Sequence, residues 1–257
     1  MPLSVIVGRV RGLSLSEERN TNVIQHNSNP PINALRTDRA RTVITPSGTI
    51  VRGKFPSRKN ERMIHHEGLL ELEACYLFEL SPNVIAYREQ PMKIRYVDED
   101  RLRVYTPDFE LTLKTGEIVL VEIKHSTILA RTEIHHKYRQ ISAHMRRVNL
   151  AYCILTDLSI RLEPRLSALR YAYGQLTRQR PTQAQLDDLA SKLAFLANPS
   201  IKEVNSLVNP YGVSAFDLLA SGHLVCDLTR PVRESTQTFI NRENGHEWFW
   251  ISEELSI

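Results

Sequence analysis

The run Ile118-Val119-Leu120-Val121-Glu122-Ile123-Lys124 constrains this chain more than any other stretch. Four consecutive apolar residues, three of them β-branched, predict a central strand covered on both faces. The run nevertheless ends in a carboxylate and an ammonium two residues apart, so both leave the same face of the strand. Charges are tolerated there only at the sheet margin or where a metal or partner compensates them. Upstream, Pro107-Asp108 belongs to the strand that the turn Lys114-Thr115-Gly116-Glu117 joins to this one. Asp108 and Glu122 can therefore meet across adjacent strands. Two carboxylates beside a lysine suit phosphodiester hydrolysis, in which a divalent cation neutralises the phosphate and helps to deprotonate a water. A surface ion pair and an ordinary Pro-Asp turn would give the same spacing.

The flanking pattern supplies an architecture. Residues 63–80 predict an amphipathic helix, with Leu69, Leu72, Tyr76 and Leu77 at helical spacing and Glu67, Glu71, Cys75 and Glu79 on one line. Ser81-Pro82-Asn83 ends it. Strands are expected at 84–87, 93–97 and about 104–113, then a helix near 131–148 carrying Arg131, His135, Lys137, Arg139, Arg146 and Arg147, and a buried strand at 150–155. These elements make a mixed sheet flanked by helices. The first sixty residues read as an irregular arm with a short helix before Pro46-Ser47-Gly48. Beyond Glu163-Pro164 strands almost vanish, and three helices at 182–197, 200–208 and 213–221 precede a strand at 224–228, with Gly222 as a C-cap. That order suggests a winged-helix or helix-turn-helix module. The expected class is α/β, with a domain over 1–166 and a winged-helix-like domain over 167–257.

Composition narrows the function. A chain of 257 residues with 42% hydrophobic and 24% charged residues suits a folded soluble protein. No apolar run is long enough for a membrane span, and the Met1-Pro2-Leu3-Ser4 start lacks a signal-peptide layout, so a cytoplasmic protein with no membrane partner is expected. Cys75, Cys153 and Cys226 stand too far apart for zinc-finger spacing and read as core residues. The net charge is +4, but residues 36–62 hold eight cations against two acids, a local net of +6 that suits phosphates or a solvated loop. The pairs His65-His66 and His135-His136, with His125, match no familiar metal spacing. No Gly-rich phosphate loop occurs, so nucleotide hydrolysis would need a partner. Trp248-Phe249-Trp250 reads as an edge strand packed on the second domain.

Pro107-Asp108 with Glu122-Ile123-Lys124 resembles the PD-(D/E)xK signature of restriction-endonuclease-like nucleases. The surrounding sequence is similar to the TnsA family, the transposon-end endonucleases of heteromeric cut-and-paste transposons. Gly53-Lys54-Phe55-Pro56-Ser57-Arg58-Lys59 resembles that family's basic entry segment, residues 67–71 its helix with an acidic catalytic residue, and Arg88-Glu89-Gln90-Pro91 its "EQP" stretch. The resemblance implies a restriction-endonuclease-like fold and a catalytic set of Glu71, Asp108, Glu122 and Lys124. Glu71, Asp108 and Glu122 would hold one or two Mg²⁺ ions, with Mn²⁺ able to substitute. Lys124 would activate the attacking water or stabilise developing charge, and Lys54, Arg58 and Lys59 would contact DNA. The resemblance further implies in-line hydrolysis at the 5′ ends of the transposon. Its partners would be double-stranded DNA at those ends, a DDE-type transposase subunit, and an AAA-type regulatory ATPase docked on the C-terminal domain. Two positions depart from the family: Glu122 stands where some members have Gln, and Gly68 replaces the usual Ser. A junction resolvase or restriction-type nuclease of the same fold, or a noncatalytic DNA-binding adaptor, would share much of this sequence.

Overall fold

The computed structural model describes residues 52–241. The short helix expected before Pro46, the basic segment ahead of residue 52, and Trp248-Phe249-Trp250 lie outside the described residues.

The described chain opens with an antiparallel hairpin of β1 (Gly53–Ser57) and β2 (Arg62–His66), followed by α1 (Leu69–Leu80). Next come β3 (Val84–Glu89), β4 (Ile94–Asp98), β5 (Arg101–Tyr105), β6 (Phe109–Leu113) and β7 (Ile118–Lys124). A crossover of α2 (Ser126–Leu129) and α3 (Thr132–Arg147) leads to β8 (Ala151–Thr156). The central sheet has the order β3-β6-β7-β8, antiparallel except for the β7–β8 pair, which is parallel as the helical crossover requires. β4 and β5 form a separate hairpin.

β7 has the bounds its composition predicts, and both of its faces are covered. Val119, Val121 and Ile123 share one apolar cluster with Leu77 and Phe78 of α1, while Leu120 packs in a second cluster with Tyr138, Ile141 and Met145 of α3. Alternation along a pleated strand produces this division. Glu122 and Lys124 follow Leu120 on the α3 side.

Several expectations change. Residues 62–66 form a strand, and the helix starts only at Leu69, after Gly68 in an extended conformation. The helix is not amphipathic: Leu70, Ala74, Leu77, Phe78 and Leu80 are buried, and so are Glu73 and Glu79, while Leu69 is exposed. It fills the space between the sheet and the helices that follow it. The long strand expected at 104–113 is two strands, β5 and β6, interrupted at Thr106-Pro107. Proline has no N–H to give to a ladder, and the chain leaves the hairpin there for the central sheet.

Two helices beyond β8, α4 (Asp157–Ile160) and α5 (Arg165–Gly174), have no counterpart in the sequence reading. The boundary expected at 166/167 falls inside α5, whose Leu166, Ala168, Leu169 and Ala172 belong to the same core as α1. The remainder comprises α6 (Gln183–Leu193), α7 (Ile201–Val208), α8 (Ala215–Ala220) and an antiparallel ribbon of β9 (Leu224–Cys226) and β10 (Thr238–Ile240). Thr182, Ser200 and Ser214 cap the three helices with capping boxes closed by Gln185, Glu203 and Asp217. Gly222 has the left-handed φ of 82° expected just past a helix end.

The three cysteines are free and buried, as expected. Among the described residues no helix is long and apolar enough to cross a membrane.

Candidate active site

Asp108 precedes β6 and Glu122 lies near the end of β7, so the register that pairs Phe109 with Val121 brings them side by side. Asp108 accepts the Ile123 backbone N–H on Oδ2 at 2.7 Å, and the Asp108 carbonyl accepts the Gln90 N–H at 2.8 Å. Lys124 Nζ stands 3.1 Å from Glu122 Oε1. The end of β7 is fixed from the neighbouring strand, because Asp157, just after β8, accepts the Ser126 N–H at 2.6 Å and lies 3.5 Å from His125.

Glu71 joins this group from the first turn of α1. Its Oε2 accepts the Glu67 N–H at 2.7 Å, which both ties down the start of the helix and fixes the carboxylate. Burial pushes the Glu71 carboxyl up to about 7, the Glu67 N–H opposes the shift, and the Glu67 and Glu122 charges add to it. Asp108 is driven well above the ordinary range by burial and then by Glu122 and Glu71. Lys124 is raised despite burial, because Glu122, Asp108 and Glu71 all favour its charged form. Glu71, Asp108, Glu122 and Lys124 thus share one electrostatic neighbourhood.

The other acids of α1 have different work. Glu73 is bound by Arg161 and Arg170, each at 2.7 Å. Glu79 accepts the Ser57 hydroxyl, the Tyr87 hydroxyl and the backbone N–H groups of Arg58 and Lys59 at 2.7–3.0 Å. Neither is part of a solvated acidic face.

The three cations expected on DNA separate as well. Lys54 is exposed on β1. Arg58 reaches Asp217 of α8 at 3.1 Å. The Lys59 ammonium donates to the carbonyls of Phe78, Ser81 and Val84, closing the C-terminal end of α1. Arg58 and Lys59 therefore both have partners within the fold.

Three tyrosines that the sequence does not single out surround Glu122. Tyr105 of β5 donates its hydroxyl to Glu122 Oε2 at 2.7 Å, Tyr138 of α3 donates to Oε1, and Tyr152 of β8 lies 3.2 Å from the Tyr105 hydroxyl. Burial and then the Glu122 charge push all three phenols upward, so they remain O–H donors. The Tyr138 ring also lies 5.7 Å from Lys124 Nζ and 5.3 Å from Lys137 Nζ. No local motif could reveal this set, since its members come from three elements far apart in sequence. Gln90 is also absent from the sequence-level site. It has a left-handed φ of 45°, a backbone bond to Asp108 and a buried side-chain oxygen without a hydrogen-bond partner.

The donor chemistry fits magnesium. Glu71, Asp108 and Glu122 offer only carboxylate oxygens, the hard ligands that ion takes. The upward shifts of Glu71 and Asp108 record a local excess of negative charge that a cation would relieve. As the side chains stand, no three His, Cys, Asp or Glu groups among the described residues are arranged around one point for a metal, so an ion would be held there only after side-chain adjustment.

No curated protein matches the chain. Residues 81–157, the stretch that carries Asp108, Glu122 and Lys124, match the family model described as the TnsA-like endonuclease N terminal.

Proposed function

We propose that the chain is the magnesium-dependent DNA endonuclease subunit of a heteromeric transposase, hydrolysing phosphodiesters at the 5′ ends of a transposon. The observation that carries this reading is the grouping of Asp108, Glu122, Lys124 and Glu71 at the end of β7, three of them inside the matched segment. Glu71, Asp108 and Glu122 would hold the ion. Bound there, Mg²⁺ would neutralise the phosphate and make an attacking water more acidic. Lys124 places a positive charge beside these acids, where it can orient the water or offset charge developing on the phosphate. The exposed Arg131, Lys137, Arg139, Arg146 and Arg147 around α3 supply cations for a DNA backbone next to the helix that carries Tyr138.

We further read α6 to β10 as a winged-helix-like unit. Its order is helix, bridge, helix, helix, strand, strand, with Ser200 between α6 and α7 bridged to Gln237 just before β10. The third helix of such units usually enters a DNA groove. Here that helix, α8, is buried from Ala215 to Leu219, and its Asp217 is bound to Arg58. A role in docking partner proteins, a transposase subunit and an AAA-type ATPase, therefore suits the unit better than reading DNA through α8. Cytoplasmic action on chromosomal DNA follows from the same reading.

Strand-specific cleavage of a labelled transposon end by the reconstituted complex tests it. Wild type with Mg²⁺ should make the 5′-strand cut, and Asp108→Ala and Lys124→Ala should lose that cut alone. Unchanged cutting by both variants, once shown to enter the complex, would sink the catalytic assignment.

A further inference from the structure

The three tyrosines lie in an otherwise mostly apolar cluster between the sheet and α3, where phenylalanine would fill the same space. The hydroxyls of Tyr105 and Tyr138 meet Glu122, and that of Tyr152 meets the Tyr105 hydroxyl. A carboxylate has about four acceptor positions. Tyr138 and Lys124 take two on Oε1, and Tyr105 takes one on Oε2. Because the Tyr105 proton is given to Glu122, Tyr152 is the donor in the Tyr152–Tyr105 contact, and the chain of hydroxyls points toward the carboxylate. A single position on Oε2 remains open.

This arrangement matters differently to different ions. Mg²⁺ demands near-octahedral geometry and takes few protein ligands, whereas Ca²⁺ accepts higher coordination and two-oxygen carboxylate ligation. With the Tyr138 hydroxyl and Lys124 both on Oε1, Glu122 can offer a metal only Oε2, which the Tyr105 hydroxyl orients. We propose that Tyr138 restricts Glu122 to one-oxygen ligation while Tyr105 orients the oxygen left for the metal, so that these two positioning residues bias the site toward Mg²⁺ over Ca²⁺. The proposal rests on the metal-binding reading of Asp108 and Glu122.

The test uses the full chain, stripped of metal, with Mn²⁺ binding followed by electron paramagnetic resonance and Mg²⁺ and Ca²⁺ added as competitors. Wild type, Tyr105→Phe, Tyr138→Phe, Tyr152→Phe and Asp108→Ala are compared, each first checked for folding by thermal melting. Loss of either contacting hydroxyl should weaken Mg²⁺ by about 10- to 100-fold, the usual effect of removing a group that orients a metal ligand. Ca²⁺ should hold or tighten, so the Mg²⁺:Ca²⁺ affinity ratio falls. Tyr152→Phe, one bond further away, should shift the ratio the same way by less, and serves if either other variant fails to fold. An unchanged ratio, or equal losses for both ions, overturns the tyrosine proposal while leaving the site reading intact. If wild type binds none of these ions, or Asp108→Ala binds them equally well, the metal-binding reading fails and the proposal with it.

Discussion

Asp108 extends the hydrogen bonding along β7 beyond the start of β6, its side-chain Oδ2 accepting the Ile123 N–H at 2.7 Å next to the first paired residue of β6, Phe109. The carboxylate is thereby fixed to the strand that carries Glu122 and Lys124. It is also held near two other acids. Burial and the repulsion among these acids, which Lys124 only partly offsets, make Glu71 and Asp108 hold their protons to higher pH in the folded state than in the unfolded chain.

The sign of the resulting pH dependence is set. Between the ordinary Glu value of 4.5 and about 7, folded Glu71 binds more protons than unfolded Glu71, so stability falls as pH rises through that window. The Glu71 contribution should therefore favour the metal-free fold more at pH 5 than at pH 8. Glu71→Gln removes the charge without removing the side chain. It should stabilise the metal-free protein at pH 8 by about 1–3 kcal/mol, at roughly 1.4 kcal/mol per pKa unit, and change little at pH 5. Melts in chelator at both pH values decide it, and equal effects at the two would mean that Glu71 carries no such strain.

Glu79 makes the opposite case. Its side chain accepts bonds from Ser57, Tyr87 and two backbone N–H groups in a buried setting. Glu79→Ala leaves several of those donors without partners, and unsatisfied buried groups cost about 1–3 kcal/mol each. Chemical denaturation should show a loss of about 3 kcal/mol or more. A loss below about 1 kcal/mol would show that water replaces the carboxylate there.

How much was legible in the sequence depended on whether a residue's surroundings were local. β7 was readable because covering both faces of a strand demands an uninterrupted apolar run, and Glu122 and Lys124 stood out as exceptions within it. The β1–β2 hairpin was not readable: Lys54, Arg58, Arg62, His65 and His66 look polar, and the partners that occupy Arg58, Lys59 and Arg62 are Asp217, the end of α1 and Glu89. Helix α5 escaped because half of its buried residues are the small Ala168 and Ala172. Glu71 and Glu79 lie on one helical line and Glu73 two residues from Glu71, yet the three meet entirely different partners, which only the fold assigns.

The seam between α1 and the C-terminal helices offers a sharper structural test. Gly222 has a φ of 82°, and a Cβ built on it would lie 2.9 Å from Cβ of Pro82, at the end of α1. Gly222→Ala meets both a left-handed backbone penalty and a collision with a ring that cannot swing away. A loss of about 1–3 kcal/mol is expected. The check is the denaturation midpoint. A variant as stable as wild type would show that the C-terminal helices shift freely on α1.

DNA binding separates structural cations from those that meet phosphate. Arg139 and Arg146 are exposed on α3, which carries only Glu133 as an acid, whereas Arg58 is bound to Asp217. If α3 faces the DNA backbone, Arg139→Ala and Arg146→Ala should weaken binding to unrelated duplexes alike. Each should lower the slope of log affinity against log salt by about 0.9, the release expected for one phosphate contact. Arg58→Ala should instead lower thermal stability and leave the slope unchanged, because its charge already has a partner in Asp217. Titrations across a range of salt, performed without Mg²⁺ so that no cleavage intervenes, measure all three. An unchanged slope for the two α3 variants together with a reduced one for Arg58→Ala would move the DNA path from α3 to the β1–β2 hairpin, where Lys54 is exposed.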